Sequence, residues 1–138
     1  MQERLQILLA DDNPAILDML KRMLQKDFAI AGAVNNAAAV LREAPELKPD
    51  VIILDVSMGD LNGFDVTRQL RAGKCTAKII FLTVHEDFEF IRAAFDAGAS
   101  GYVFKSRMNT DLPAALEAVR HGKGTRSTKA RRCTPRRW

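Results

Sequence analysis

The chain has 138 residues, 47% of them hydrophobic and 28% charged, a composition typical of a globular domain with its own core. It has no apolar run long enough to cross a membrane, and its N-terminus lacks the apolar segment of a secretory signal. The formal net charge of +4 is uneven, because residues 1–120 hold 14 basic and 17 acidic side chains whereas residues 121–138 hold seven basic and no acidic ones. The positive charge therefore does not predict that the globular part binds nucleic acid.

Five short apolar runs predict strands, and they are separated by segments of helical period. The predicted strands cover residues 5–10, 28–32, 51–55, 78–83 and 101–104. The run VIILD at 51–55 is apolar at four consecutive positions, which is typical of a central parallel strand covered on both faces.

A predicted helix follows each strand. The predicted helices cover residues 16–24, 37–45, 64–71, 87–97 and 111–120. Asn36 is placed to cap the second helix, and Thr110 or Asn109 to cap the last one, whose first turn would contain Pro113. Gly98 is expected to end the fourth helix.

Five strand–helix units predict an α/β fold, with helices on both faces of one parallel sheet. Ligands of such sheets bind at the carboxyl ends of the strands. Those ends carry three carboxylates, a hydroxyl and an amine, from Asp11, Asp12, Asp55, Thr83 and Lys105. Neighbouring carboxylates repel, so we expect a cation among them, and oxygen ligands suit Mg²⁺, with Mn²⁺ as an alternative. Thr83 and Lys105 would then serve a phosphoryl group, as hydrogen-bond donor and point charge.

Each of these residues also has a purely structural interpretation. Residues 12–14, DNP, have the pattern of a helix N-terminus, with asparagine as the cap and proline at the first helical position. Asp55 could be a turn residue, Thr83 a helix cap and Lys105 a solvated surface lysine. These interpretations explain the residues singly, but not their joint occurrence at successive strand ends.

Residues 5 to about 120 resemble the receiver domain of bacterial two-component response regulators. The resemblance rests on LLADDNP, VIILDVSMGDLNGFDV, KIIFLTVHED and AGASGYVFK, in this order and at the family's spacing. It implies a doubly wound, flavodoxin-like sheet of strand order 2-1-3-4-5 in three αβα layers, within a receiver domain at 1–121. The segments ADDNP, LNGFDV and GASGYVFK, with ALEAVRHGKG, are most similar to receivers that precede a LuxR-type helix-turn-helix domain.

The resemblance implies a role for each residue at the strand ends. Asp55 would be the phosphoacceptor, attacking a phosphohistidine of a sensor histidine kinase or phosphotransfer protein, or a small donor such as acetyl phosphate. Asp11, Asp12, Asp55 and the backbone carbonyl of Ser57 would hold Mg²⁺, and Lys105 would pair with the phosphoryl oxygens. The chain would then catalyse only its own phosphorylation and dephosphorylation, and would not otherwise be an enzyme.

The resemblance also implies a conformational switch. Thr83 would move toward the phosphoryl group and Tyr102 would swing inward with it, reshaping the face formed by the fourth helix, fifth strand and fifth helix. Ser57 and His85 would border the phosphoryl group and influence its lifetime. Two structural alternatives stay open, in which Tyr102 is a half-buried core residue and His85 an ordinary loop histidine.

Two glycines, Gly59 and Gly63, lie close in sequence to the expected acceptor Asp55. Gly59 departs from the family, in which proline commonly follows the methionine after the acceptor, so we expect a freer loop at 55–63. Gly63 is expected to supply an unusual backbone angle near the start of the third helix.

Residues 122–138 lack an apolar period, and we interpret them as a basic linker or disordered tail. Four interpretations of this segment stay open: a shortened linker, an artificial end, a frameshifted remnant, or a basic arm that binds acidic surfaces. Cys75 and Cys133 lie far apart without metal-ligand spacing, which predicts free thiols in a cytoplasmic protein.

Two functions remain open for the chain. In the first, it is the receiver of a transcription regulator, and phosphorylation controls dimerisation and thereby DNA binding through a LuxR-type domain missing from this chain. In the second, it is a stand-alone receiver that acts by protein contacts or in a phosphorelay. A phosphatase of the haloacid-dehalogenase type also uses an Asp nucleophile and Mg²⁺. That family needs a second Asp two residues after the nucleophile, where this chain has Ser57.

Overall fold

The apolar runs form one parallel sheet in the computed structural model, which describes residues 4–58 and 61–121. Its strands are β1 (Gln6–Ala10), β2 (Ala29–Val34), β3 (Val51–Leu54), β4 (Lys78–Thr83) and β5 (Gly101–Phe104). They lie in the order β2-β1-β3-β4-β5, and every pair is parallel. The predicted fold class and strand order are therefore confirmed.

Helices cover both faces of the sheet. They are α1 (Pro14–Leu24), α2 (Ala37–Leu47), α3 (Gly63–Ala72), α4 (Phe88–Ala97) and α5 (Met108–Arg120). One core cluster joins the sheet to α1 and α5, and a second joins it to α2, α3 and α4. Successive residues of β1 alternate between the two clusters, Ile7 and Leu9 in one and Leu8 in the other, as the pleat of a strand requires.

The chain turns into its first two helices as predicted. Asn13 caps α1 by accepting the Ala15 N–H at 2.9 Å, and Pro14 is the first helical residue. Asn36 caps α2 by accepting the Ala39 N–H at 2.8 Å. Capping oxygens of this kind satisfy backbone donors that have no partner within the helix.

The prediction for the start of α5 is wrong. A 3₁₀ turn at Lys105–Arg107 leads directly into the helix at Met108, so Thr110 lies inside the first turn and does not cap it. Pro113 is consequently the sixth helical residue and lies beyond the first turn. The cause is packing, because Met108, Leu112 and Leu116 recur at helical spacing and all three are buried.

A short antiparallel pair, Ser57–Met58 with Leu61–Asn62, carries the chain from β3 into α3. Gly59, Cys133 and the predicted tail at 122–138 lie outside the described residues. Within the part of the chain that is described, no helix is long and apolar enough to span a membrane.

Gly98 ends α4 with a φ of 114°, a backbone angle that side chains with a Cβ rarely adopt. Arg71 lies against it, donating to the carbonyl oxygens of Gly98 at 3.0 Å and of Cys75 and Ala77 at 2.8 Å each. This arginine thereby ties the end of α3 to the end of α4.

We predict that Gly98→Ala lowers the free energy of unfolding by about 1–3 kcal/mol, because it forces an unfavourable φ. The added Cβ would also lie 3.2 Å from Arg71 Cγ. Gly73→Ala is the matched control, since Gly73 has a φ of −86° and its added Cβ would meet atoms no nearer than 3.6 Å. Urea unfolding followed by circular dichroism measures both, and equal losses in the two variants would contradict the backbone argument.

Candidate functional site

Asp11 is fixed at the end of β1 by its own backbone and side chain. Its N–H continues the sheet by donating to the Val34 carbonyl at 3.2 Å, and its Oδ1 accepts the Asn13 N–H at 2.9 Å. This side-chain turn lets the chain leave the strand and enter α1. Asp11 is thereby buried, at 1% exposed, while Asp12 beside it is exposed.

Asp55 directly follows β3 at the same edge of the sheet. Its N–H donates to the carbonyl of Ala10 at 3.1 Å, which sets it next to the end of β1. Its Oδ1 accepts the Ser57 N–H at 3.3 Å, and the residue is 6% exposed. The two strand ends therefore bring the buried carboxylates of Asp11 and Asp55 together.

Lys105, which follows β5, places its ammonium between these carboxylates. Its Nζ lies 2.9 Å from Asp11 Oδ2 and 3.3 Å from Asp55 Oδ2. Two unit charges about 4 Å apart interact by about 4 kcal/mol at an effective dielectric constant near 20, so the ammonium offsets a substantial repulsion. The predicted convergence of Asp11, Asp55 and Lys105 is present in the structure.

Burial and charge act against each other on these groups. Burial raises the pKa of Asp55, the nearby Asp11 carboxylate raises it further, and Lys105 partly offsets both. Burial acts to lower the pKa of Lys105, but its contacts with Asp11 and Asp55 outweigh this and raise it. The ammonium is therefore held in its charged form, while ionisation of Asp55 is made harder.

The acidic residues fit a divalent cation. One carboxylate oxygen from each of Asp11, Asp12 and Asp55 lies within 4.8 Å of the other two. Asp11 Oδ2 is buried and accepts no hydrogen bond of good geometry, although it pairs with Lys105 by charge. Hard oxygen ligands of this kind are what Mg²⁺ requires.

The remaining predicted residues meet at the loop after β4. Thr83 is fully buried, and its Oγ1 accepts the His85 N–H at 3.1 Å. The Tyr102 hydroxyl donates to the His85 carbonyl at 2.8 Å, so the tyrosine already lies against this loop. Burial raises the pKa of Tyr102 to about 12, so its hydroxyl remains protonated well above neutral pH.

The structure corrects the expectation for Gly63, which has no positive φ. Its importance is steric, because an added Cβ would lie 2.6 Å from both the Asp55 carbonyl oxygen and Phe81 Cε1. The Gly63 N–H also donates to the Val56 carbonyl at 2.6 Å. A side chain at this position would push directly on the segment that carries Asp55.

Two contacts beside the site were not predicted. The His85 ring stacks on Phe90, with centroids 4.2 Å apart and planes at 11°. Ser106 Oγ donates to Glu86 Oε2 at 3.2 Å, which links the loop after β4 to the residue following Lys105. The sequence signal for these contacts was that His85 and Glu86 closely follow Thr83 and that Ser106 follows Lys105, whereas nothing in the sequence linked Phe90 to His85.

We predict that Lys105→Met raises the pKa of Asp55 further, because it removes the positive charge that lowers it. An NMR titration of the Asp55 carboxyl carbon measures the change. Lys21→Met, at an exposed position on α1, is the charge-matched control and leaves this pKa unchanged. A lower Asp55 pKa in Lys105→Met would contradict the electrostatic account.

Comparisons with known proteins agree with this geometry. The family model of the response regulator receiver domain matches residues 7–117. The chain is 35% identical over 122 residues to a nitrate/nitrite response regulator protein homolog of Haemophilus influenzae, covering 87% of this chain and 57% of that protein. The chain thus spans little more than half the length of such relatives.

Solved structures show the same architecture. A LuxR-family two-component response regulator from Aurantimonas superimposes with a TM-score of 0.83 at 31% identity, over 88% of this chain and 89% of that one. The isolated receiver domain of RcsB from Salmonella enterica, solved with the phosphomimetic BeF₃⁻, gives 0.82 at 28%, over 88% and 92%. Because the family model covers most of its length, the chain belongs to the response regulator receiver domain family, and the similar proteins include a LuxR-family two-component response regulator.

Proposed function

We propose that Asp55 accepts a phosphoryl group from a phosphohistidine of a sensor histidine kinase, and that the domain comprises residues 1–121. The observation that carries the proposal is the position of Lys105 Nζ, 2.9 Å from Asp11 and 3.3 Å from Asp55. A cation beside a buried acceptor carboxylate is placed to receive phosphoryl oxygens. The family implies a histidine kinase as the donor.

In the proposed step, a carboxylate oxygen of Asp55 attacks phosphorus. A P–O bond forms as the P–N bond to the kinase histidine breaks, and the bonding electrons leave with the histidine nitrogen. Lys105 moves from its pairing with Asp55 to the phosphoryl oxygens. A Mg²⁺ ion held by Asp11, Asp12, Asp55 and the Ser57 carbonyl would neutralise phosphoryl charge.

Thr83 and Tyr102 connect the acceptor to the proposed output surface. The Thr83 hydroxyl donates a hydrogen bond to the phosphoryl group. Ser57 and His85 border that group and influence its lifetime. Tyr102 lines a groove of about 390 Å³ between α4 and α5, together with Ile91, Phe95 and Phe104. A change in Tyr102 therefore alters the shape of this surface.

The proposed output is control of transcription in the cytoplasm. The LuxR-family relatives support it, and DNA would be bound by an output domain outside this chain. Phosphorylation would act by favouring a homodimer of receivers. The chain then catalyses no reaction apart from gain and loss of its own phosphoryl group.

We predict that acetyl phosphate with Mg²⁺ adds one phosphoryl group to the chain, and that Asp55→Asn abolishes the addition because the amide is not a nucleophile. Intact-protein mass spectrometry measures the added mass, which hydroxylamine should remove from an acyl phosphate. Asp18→Asn, on the exposed side of α1, is the control and labels like the unchanged chain. Labelling of Asp55→Asn would exclude Asp55 as the acceptor.

We predict that Asp12→Asn weakens Mg²⁺ binding by about tenfold or more, equivalent to about 1.4 kcal/mol, because it removes a charged ligand. Asp12 is exposed, so the substitution leaves the core intact. Isothermal titration calorimetry measures the affinity, with Asp18→Asn again as control. Equal affinities in the two variants would argue against Asp12 as a ligand, and labelling in excess chelator would argue against the metal altogether.

A further inference from the structure

The loop between Thr83 and α4, residues 84–87, is held through one residue. Both backbone polar groups of His85 are engaged, its N–H by Thr83 Oγ1 at 3.1 Å and its carbonyl by the Tyr102 hydroxyl at 2.8 Å. These partners are the two residues of the proposed switch. His85 therefore contacts both Thr83 and Tyr102, which lie on the neighbouring strands β4 and β5.

Few other contacts hold this loop. Val84 is 68% exposed, Phe88 at the start of α4 is 70% exposed, and the capping residue Asp87 makes no side-chain hydrogen bond to the helix. Glu86 contacts Ser106, but both residues are exposed. A segment with so little buried surface opens readily unless a specific contact holds it.

The His85 ring supplies such a contact. It stacks on Phe90 at 4.2 Å with an interplanar angle of 11°, and Phe90 in turn lies 6.1 Å from the ring of Phe64 on α3. Both members of the stack are half-buried. The stack thus connects an exposed loop to the helices packed on the sheet.

We propose that Phe90 is a positioning residue for phosphoryl binding, acting through its stack on His85. By holding the loop in place, the stack keeps the His85 N–H as a donor to Thr83 Oγ1, and this contact orients the Thr83 hydroxyl that would donate to a phosphoryl oxygen on Asp55. Pre-ordering of the loop lowers the entropy cost of binding the group. This inference rests on the proposed function of Asp55.

Loss of the stack and a general loss of structure differ in their effects on two affinities, that for a phosphoryl mimic and that for Mg²⁺. A general loss of structure would lower both. The carboxylates of Asp11, Asp12 and Asp55 stand at the ends of β1 and β3, and none of them belongs to the loop at 84–87. Loss of the stack should therefore weaken binding of a phosphoryl mimic while leaving Mg²⁺ binding unchanged. A core defect would change the folded fraction and with it both affinities.

The test uses the full chain, Mg²⁺ and beryllofluoride as the phosphoryl mimic, with the apparent dissociation constant measured by fluorine NMR. We expect Phe90→Leu to weaken beryllofluoride binding by about threefold to tenfold, the range that aromatic pairs contribute, with Mg²⁺ affinity unchanged. Phe90→Tyr keeps the ring and stays within about twofold of the unchanged chain. Unchanged beryllofluoride affinity in Phe90→Leu would overturn the proposal.

A double-mutant cycle identifies the path of the effect. In a His85→Ala background the stack is already lost, so Phe90→Leu should cause no further weakening. If its full effect persists there, Phe90 acts through Phe64 and the proposal is wrong. Should Phe90→Leu fail to fold, His85→Ala replaces it, and unchanged beryllofluoride affinity in that variant overturns the proposal equally.

The same experiment distinguishes this inference from the function on which it rests. If the unchanged chain neither binds beryllofluoride nor takes a phosphoryl group from acetyl phosphate, the proposed function fails and the inference fails with it. If the wild-type chain binds beryllofluoride and is phosphorylated by acetyl phosphate, and Phe90→Leu has the same beryllofluoride affinity, only the inference about Phe90 fails.

Discussion

The contact of Lys105 with Asp11 and Asp55 is the constraint on which the rest of the site depends. Two carboxylates, each less than a tenth exposed, can stay ionised side by side only with a cation between them. Lys105 comes from β5, two strands away from β3, a distance of roughly 10 Å at ordinary strand spacing. A long side chain is needed to span it, which explains why the position holds a lysine.

The burial of Asp55 and Lys105 makes the stability of the folded chain depend on their ionisation. The pKa of Asp55 is raised in the folded chain, so folding favours its protonated form and the ionised carboxylate costs stability at higher pH. The raised pKa of Lys105 makes stability depend on pH in the same direction, because its ammonium contributes stability at neutral pH that is lost as pH rises through that pKa. A buried carboxylate of raised pKa beside a cation is suited to the divalent ion and the phosphoryl group proposed for this site.

Features that depend on the residue pattern of a short segment were predictable from the sequence. Apolar runs placed the strands, strand-end residues predicted the convergence of Asp11, Asp55 and Lys105, and Asn13 and Asn36 were recognised as caps. The strand order came from the family resemblance and not from these patterns. The start of α5 was missed because buried Met108 outweighs the capping preference of Thr110. The role of Gly63 was missed because its neighbour Phe81 is brought near only by the fold.

Phe81 of β4 shows why such contacts matter for signalling. Its buried ring lies beside Gly63, and its centroid is 5.4 Å from that of Phe64 and 6.4 Å from that of Tyr102. The acceptor segment, α3 and the proposed switch tyrosine thus pack around one side chain. Since closely packed interiors do not deform continuously, a shift at Asp55 in the proposed switch would reach Tyr102 as a repacking around this ring, in parallel with the path through Thr83 and His85.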